Sequence, residues 1–242
     1  TRPYSKVPAL DSKPSSIFVT AMDSNPLAAD IALIVREHAS DFENGLKVLA
    51  RIAPIWLCKA EDAKLPGEGV SGVRTESFAG PHPAGNAGTH IHFLDPVSVN
   101  HCVWQINAQD VIAVGKLFTE GRLWTERVVA LGGPQVQKPR LLRTRVGANL
   151  TELTAGQLKQ GNNRLVSGSV FGGRNARGPV AFLGRYHQQV SVLLEGNERE
   201  MLHYLRAGVN KHSVLNVFIS KLTGGKLFDF TTTTNGSPRA MV

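Results

Sequence analysis

The first half of the chain switches between a two-residue and a helical period. Ile17-Phe18-Val19-Thr20-Ala21 is a short β-type run that breaks at Met22-Asp23-Ser24-Asn25-Pro26, where Asn25 followed by Pro26 has the chemistry of an N-cap and first helical turn. Leu27, Ile31, Ile34 and Val35 then recur at helical spacing to about His38. Ser40-Asp41-Phe42-Glu43 has the form of a capping box opening a second helix, with Phe42, Leu46, Leu49 and Ile52 on one face and Pro54 as its stop. Ile55-Trp56-Leu57-Cys58 and residues 73–78 read as strands, as does Val103-Trp104-Gln105-Ile106. Asn107 caps a further helix carrying Val111, Val114, Gly115 and Phe118 to a stop at Gly121. This order predicts an α/β open sheet, whose ligands sit beyond the carboxyl ends of the strands.

Beyond residue 121 the pattern changes. Residues 123–131, 141–146, 164–170 and 186–194 are β-like runs broken by Gly132-Gly133-Pro134, Gly147 and Gly172-Gly173, and one short helix is evident, with Asn149 as cap and Glu152 three positions on. A few strands wrapped over one helix make a small α+β module. The expected divisions are therefore 1–120, 121–200, and 201–242 as a C-terminal hairpin (218–222 and 227–231 around Thr223-Gly224-Gly225-Lys226) and polar tail.

Between the third strand and the next element lies Gly80-Pro81-His82-Pro83-Ala84-Gly85-Asn86-Ala87-Gly88-Thr89-His90-Ile91-His92, with three glycines, two prolines and three of the chain's eight histidines. Gly80, Gly85 and Gly88 fit neither G-x-G-x-x-G nor a Walker A loop, so the choice is between a tight turn and a cradle whose N–H groups meet an anion or a planar ring. His90 and His92, two apart, share a face if the segment is a strand, and there they could donate to a quinone carbonyl or relay a proton. A zinc site drawn from His82, His90, His92, His101 and Cys102 matches no known ligand spacing, and hydrogen-bonded loop histidines fit better; no metal is expected. No G-x-S-x-G elbow is present. Asp110 and Glu120 fit a solvated helix face rather than an acid/base pair.

Charge adds one asymmetry. Of the net charge of +8, residues 1–120 contribute 10 basic against 13 acidic groups, 121–194 contribute 11 against 2, and 195–242 contribute 6 against 4. The middle segment thus offers a basic surface to an acidic partner, anionic headgroups or nucleic acid, or is simply a solvated face. Arg122, Arg127, Lys138, Arg140, Arg143 and Arg145 lack the interleaved aromatics of single-strand binders, which argues against nucleic acid. No run approaches the roughly 18 apolar residues of a membrane span, so membrane association is expected to be peripheral. Two distant cysteines, Cys58 and Cys102, exclude a cysteine-rich cluster within the chain. With no signal peptide in view the cytosol is the default compartment, and the start at Thr1 without methionine suggests a piece of something longer.

Several blocks together are specific: Arg2-Pro3-Tyr4-Ser5-Lys6-Val7-Pro8, residues 18–28, Gly80 to Phe93, Gln109-Asp110-Val111-Ile112-Ala113-Val114-Gly115, Leu183-Gly184-Arg185-Tyr186-His187 and residues 231–236. Across nearly the whole chain they closely resemble the NqrA subunits of the bacterial Na+-translocating NADH:quinone oxidoreductases. The resemblance implies an α/β Rossmann-like open sheet followed by a β-grasp domain of the soluble-ligand-binding (SLBB) type. It also implies a peripheral component on the cytoplasmic face of the inner membrane, in a six-subunit complex that passes electrons from NADH to ubiquinone and exports sodium. Other subunits carry the flavins and iron centres. The related flavin-binding subunit of respiratory complex I has a glycine-rich flavin loop near its start, where this chain has Thr1-Arg2-Pro3-Tyr4-Ser5. FMN and NADH are therefore not expected here, and no redox cofactor of its own is. Gly80, His82, Gly85, Gly88, His90 and His92 are the candidate ubiquinone contacts, and Arg140, Arg143 and Arg145 the candidate docking residues toward other subunits. Relatives extend at both ends, so the chain alone is expected to be inactive. The alternative is a self-contained flavin- or nucleotide-binding oxidoreductase using the Gly80 loop.

Overall fold

In the computed structural model the apolar runs of the first half form a four-stranded sheet: β1 (Ser16–Ala21), β2 (Ile55–Ala60), β3 (Val73–Phe78) and β4 (Val103–Asn107), in the order β3-β2-β1-β4. The structure describes residues 8–197, 201–202, 205–212, 218–222, 225 and 227–233, so the blocks at 2–7 and 234–236 lie outside it. Every neighbouring pair in the sheet is parallel. Sequence order reverses between β1 and β4, which makes the gap outside their carboxyl ends the switch point of an open α/β sheet.

Odd positions of β1 and β2, among them Ile17, Val19, Ile55 and Leu57, join α1 (Ile31–Glu37), α2 (Ala39–Leu49) and α4 (Ala108–Glu120) in one core with Phe42, Leu46 and Val111. Helices α2 and α4 touch through their backbones. A Cβ on Gly45 would stand 2.1 Å from the Val111 carbonyl oxygen, and one on Gly115 only 1.8 Å from that of Asp41. Even positions face the other side, where Phe18 stacks on Trp56 and the ring of Phe78 meets His90 of α3 (Ala87–Leu94).

Three local expectations give way. Asn25 does not cap α1: its N–H and side-chain amide both bond the Asp23 carboxylate, Leu27 sits at φ 64°, and Asp30 caps instead, accepting from the Ala32 N–H. Ser40 opens no helix, because α2 begins at Ala39 directly after a bend at His38 (φ −119°, ψ 38°), leaving Ser40 and Asp41 inside the first turn. Ile52, past the helix end, is 49% exposed. Asn107 and Gly121 do cap α4, the latter in the left-handed region.

A second reading is overturned at the start of α4. Asp110 is buried, accepts from the Asn107 side chain and forms an ion pair with the buried Arg127 guanidinium, so neither residue is a solvated surface charge. Next to it Gln109 donates to the Val128 carbonyl (2.8 Å) and accepts from the Val128 N–H (2.9 Å), as a neighbouring strand would. Glu120 is exposed and pairs with Lys116.

Contacts divide the chain into Thr1–Val128 and Val129–Val242. The second sheet contains β5 (Glu126–Gly132), β6 (Arg140–Arg145), β7 (Asn163–Ser167), β8 (Arg174–Asn175) and β9 (Gln189–Leu194) in the order β6-β5-β9-β7-β8. Strands β5 and β9 are parallel while β7 is antiparallel to both β8 and β9, the mixed sheet of a β-grasp. Leu150 of α5 (Leu150–Leu153) packs with Val129, Leu131, Val190 and Val192 to form its core. The expected C-terminal hairpin is absent among the described residues. Ile219–Lys221 is a 3-10 turn closed by i→i+3 bonds, and Thr231 bridges in parallel to Leu194 at the end of β9 rather than to residues 218–222. No described helix is long and apolar enough to cross a membrane.

Replacing Gly115 by Ala should lower stability by about 3 kcal/mol, the cost of overpacking a rigid backbone contact. Gly88→Ala, with nothing within 4 Å of the new methyl, should be neutral or slightly stabilising; urea titrations of the two variants check the contrast.

Candidate functional site

The carboxyl edge of the first sheet is where the chain turns from β1 to α1 and from β3 to α3, and the two turns are tied together. The Ser24 hydroxyl accepts from the Gly85 N–H at 2.7 Å and lies 3.2 Å from His82 Nδ1. Gly85 is required at this spot, since a Cβ there would stand 2.4 Å from the Ser24 nitrogen. Gly80, at φ 121° and exposed, serves the turn itself.

The second half of the histidine segment is helix, not strand, which separates the two residues expected to act together. Positions two apart on a helix lie about 200° apart around the axis. His90 accordingly points inward, fully buried, its Nε2 donating to the Ala84 carbonyl at 2.9 Å and its ring 4.2 Å from that of Phe78. His92 is exposed and meets the edge of Phe93 within its own helix. Because a carbonyl can only accept, Nε2 carries the proton, and Nδ1 is buried without a hydrogen-bond partner. Burial depresses the His90 pKa below 6.5, outweighing the Ala84 bond. With Thr89 donating to the Pro83 carbonyl (2.9 Å), His90 pins the loop from beneath rather than presenting a donor to a ligand. Gly88 faces open space. Of the six candidate contacts, then, Gly80, His82 and Gly85 belong to the junction, His90 supports it, and Gly88 and His92 lie on the outer surface of α3.

Sequence reasoning passes over Ser24, Asp23 and Asn107, which line the same edge. The signal is present: a polar Asp-Ser-Asn run directly after the first strand, where an open sheet places its ligand loop. The helix ends here are occupied by the chain itself. Asp30 fills the start of α1, and Asn107 with Asp110 fills that of α4, Asn107 accepting from the Asp110 N–H at 2.9 Å. Around these two helix starts the edge offers hydroxyl, amide and imidazole groups, while α3, which begins after the Gly80 loop, has no side-chain cap at Asn86.

His101 is held by Asp95 (2.7 Å), whose other oxygen accepts from Ser16 (2.6 Å), and Cys102 is exposed. Among the described residues no three His, Cys, Asp or Glu side chains are grouped as metal ligands. Cys58 is buried, and burial first, the Glu76 charge second, push its thiol up to about 12. In the second unit, the period of β6 sets Arg143 and Arg145 on one face and Arg140 on the other, where it bonds the Lys138 carbonyl and the Gln157 side chain.

Two family models match the chain: the NqrA second alpha/beta domain over residues 1–123 and the NQRA C-terminal domain over 128–178. Over its full length the chain is 67% identical to the NqrA subunit of the Na(+)-translocating NADH-quinone reductase from Pseudomonas aeruginosa strain UCBPP-PA14, covering 54% of that protein. It is 65% identical to the protein of the same name from Cellvibrio japonicus, covering 55%. The chain thus spans about half the length of these relatives. Among solved structures, a chain of an NAD+-reducing [NiFe]-hydrogenase in the H2-reduced state superposes with a TM-score of 0.53 at 16% identity, over 76% of this chain and 41% of that one, a likeness of fold.

Two measurements follow from the buried groups. His90 binds a proton more readily unfolded than folded, so it contributes no pH dependence above 6.5. Below that, stability should fall as pH drops toward the depressed folded value, with a slope of up to about 1.4 kcal/mol per pH unit. His90→Gln should lack this component, and parallel pH–stability curves for the two proteins would refute the assignment. In thiol titration of the native protein at pH 8, Cys102 should react at once and Cys58 only on unfolding.

Proposed function

The chain belongs to the NqrA family, and from that membership we propose that it is the core of a peripheral subunit of the Na+-translocating NADH:quinone reductase, serving docking and ubiquinone contact with no redox cofactor of its own. It works on the cytoplasmic face of the inner membrane, in a complex whose other subunits carry electrons from NADH and move sodium. The observation that carries this reading is the capping of α1 and α4, the helices that follow the two switch-point strands, by Asp30 and Asn107. A dinucleotide or flavin phosphate needs those N–H groups, and at α1 and α4 the Asp30 and Asn107 side chains already accept from one each.

The same edge suits an uncharged ligand with carbonyl oxygens. His82 and Ser24 lie together there, partly exposed, and the Gly85 N–H holds the hydroxyl in place. A ubiquinone ring at this junction would take a hydrogen bond from His82 without any phosphate-binding element. The cations of the second unit serve docking.

Photo-labelling of the assembled complex with a quinone analogue should mark residues 22–30 and 80–86, with the label competed by ubiquinone and unaffected by FMN or NADH. Labelling confined to other subunits would remove the quinone contact. Competition by FMN would instead favour a flavin-binding oxidoreductase.

A further inference from the structure

Residues 153–194 contain no Asp or Glu, four arginines and a single lysine, and much of this stretch folds back on itself around one buried hydroxyl. Ser167 is fully buried, accepts from the Gly184 N–H at 2.9 Å and lies 2.7 Å from His187 Nδ1. Ser167 also pairs across the β7–β8 ladder with Arg174, whose guanidinium donates to the Phe182 carbonyl at 3.0 Å. Gly184 and Gly168 are both packed against the His187 ring, so that neither admits a side chain without displacing it. Burial excludes a nucleophilic role for this serine–histidine pair. Its effect is to gather the chain at 174 and 182–187 into one place.

Outside that hub the surface is arginine and aromatic. Arg174, Arg177 and Arg185 are exposed, as are Phe182 (45%) and Tyr186 (39%), and the Arg185 guanidinium lies 5.4 Å from the centre of the Tyr186 ring. A solvated face would be expected to mix lysine and acid. Arginine with tyrosine and phenylalanine, in a run without lysine or carboxylate, is instead the composition of protein contact sites, because a planar guanidinium binds carboxylates in bidentate fashion and stacks on rings.

We infer that the Arg174, Arg177, Arg185, Phe182 and Tyr186 patch is a docking surface for an acidic face of a partner protein. This rests on the reading of the chain as part of the membrane complex, and names a contact distinct from Arg143 and Arg145. The occupant is protein and not lipid because charge alone suffices for anionic headgroups, for which lysine serves as well as arginine.

The test uses the full-length subunit expressed with its companion subunits. Arg177→Glu/Arg185→Glu leaves the Arg174 bond to Phe182 intact. It should melt like wild type yet reduce the chain co-purifying with the membrane complex about ten-fold or more. Arg177→Lys/Arg185→Lys keeps the charge and should still lose about three-fold or more. Full recovery of the lysine variant together with flotation of the subunit on phosphatidylglycerol vesicles would assign the patch to lipid and overturn the inference, as would wild-type assembly by the glutamate variant. Loss of assembly with Arg143→Glu/Arg145→Glu alone would leave the docking role standing and sink only this patch, whereas failure of the wild-type chain itself to co-purify would sink the reading of it as part of the complex.

Discussion

The backbone contact between α2 and α4 sets the geometry of the first unit. With Gly45 against the Val111 carbonyl and Gly115 against that of Asp41, the two helices approach to a distance no side chain allows. That fixes the axis of α4 over the sheet. Once the axis is fixed, Asn107 must lie at the carboxyl end of β4, and Gln109 and Asp110 must present their polar groups to Val128 and Arg127. Lys116 reaching Asp41 adds a bond across the same crossing, and the Lys116 pKa is raised first by that partner. The helix pair is therefore a rigid ruler for everything at the ligand edge.

What that edge can bind is decided by electrostatics, not by fold. An open parallel sheet brings helix N-termini to its switch point, and those ends attract anions by default. Here the chain supplies its own anions. Asp30 accepts from the Ala32 N–H of α1, while Asp110 sits in the first turn of α4 with Arg127 balancing its charge. Meanwhile Ser24 and Gly85 draw the two loops into contact, leaving imidazole and hydroxyl groups at the surface. The starts of α1 and α4, where this fold can hold a phosphate, are thus capped by the chain's own side chains.

The sheet is legible in the sequence because β1 and β2 are buried, which writes them as short apolar runs through Ile17, Phe18, Val19, Ile55, Leu57 and Cys58, with Trp104 and Ile106 of β4 packed partly buried against the same core. The caps of α4 and α5 are equally plain, since Asn107, Asn149 and Gly121 act through bonds to residues three or fewer positions away, or through their own φ. Misreadings arise where a distant partner overrides the local signal. Asn25 reads as a cap until Asp23 takes both of its donors, and Asp110 reads as surface until Arg127 arrives from beyond the helix. His90 and His92 pair only on a strand, and the helix that stands there turns one inward and the other out. Ser24 matters only because Gly85, sixty-one residues later, lands on it.

The two units also treat their charges differently, and the difference bears on function. In the first, several carboxylates are engaged by groups of their own unit: Asp30 in a cap, Asp41 with Lys116, Asp95 with His101 and Ser16, Glu68 with Lys59 and the Leu65 N–H. These pairs are accounted for by folding. In the second, Arg164 pairs with Glu195, and residues 121–194 carry 11 basic against 2 acidic groups. Gathering like charges on one small sheet costs stability through self-repulsion. A β-grasp core as small as the one around Leu150 gains nothing from that arrangement, which is the electrostatic ground for proposing an acidic partner surface.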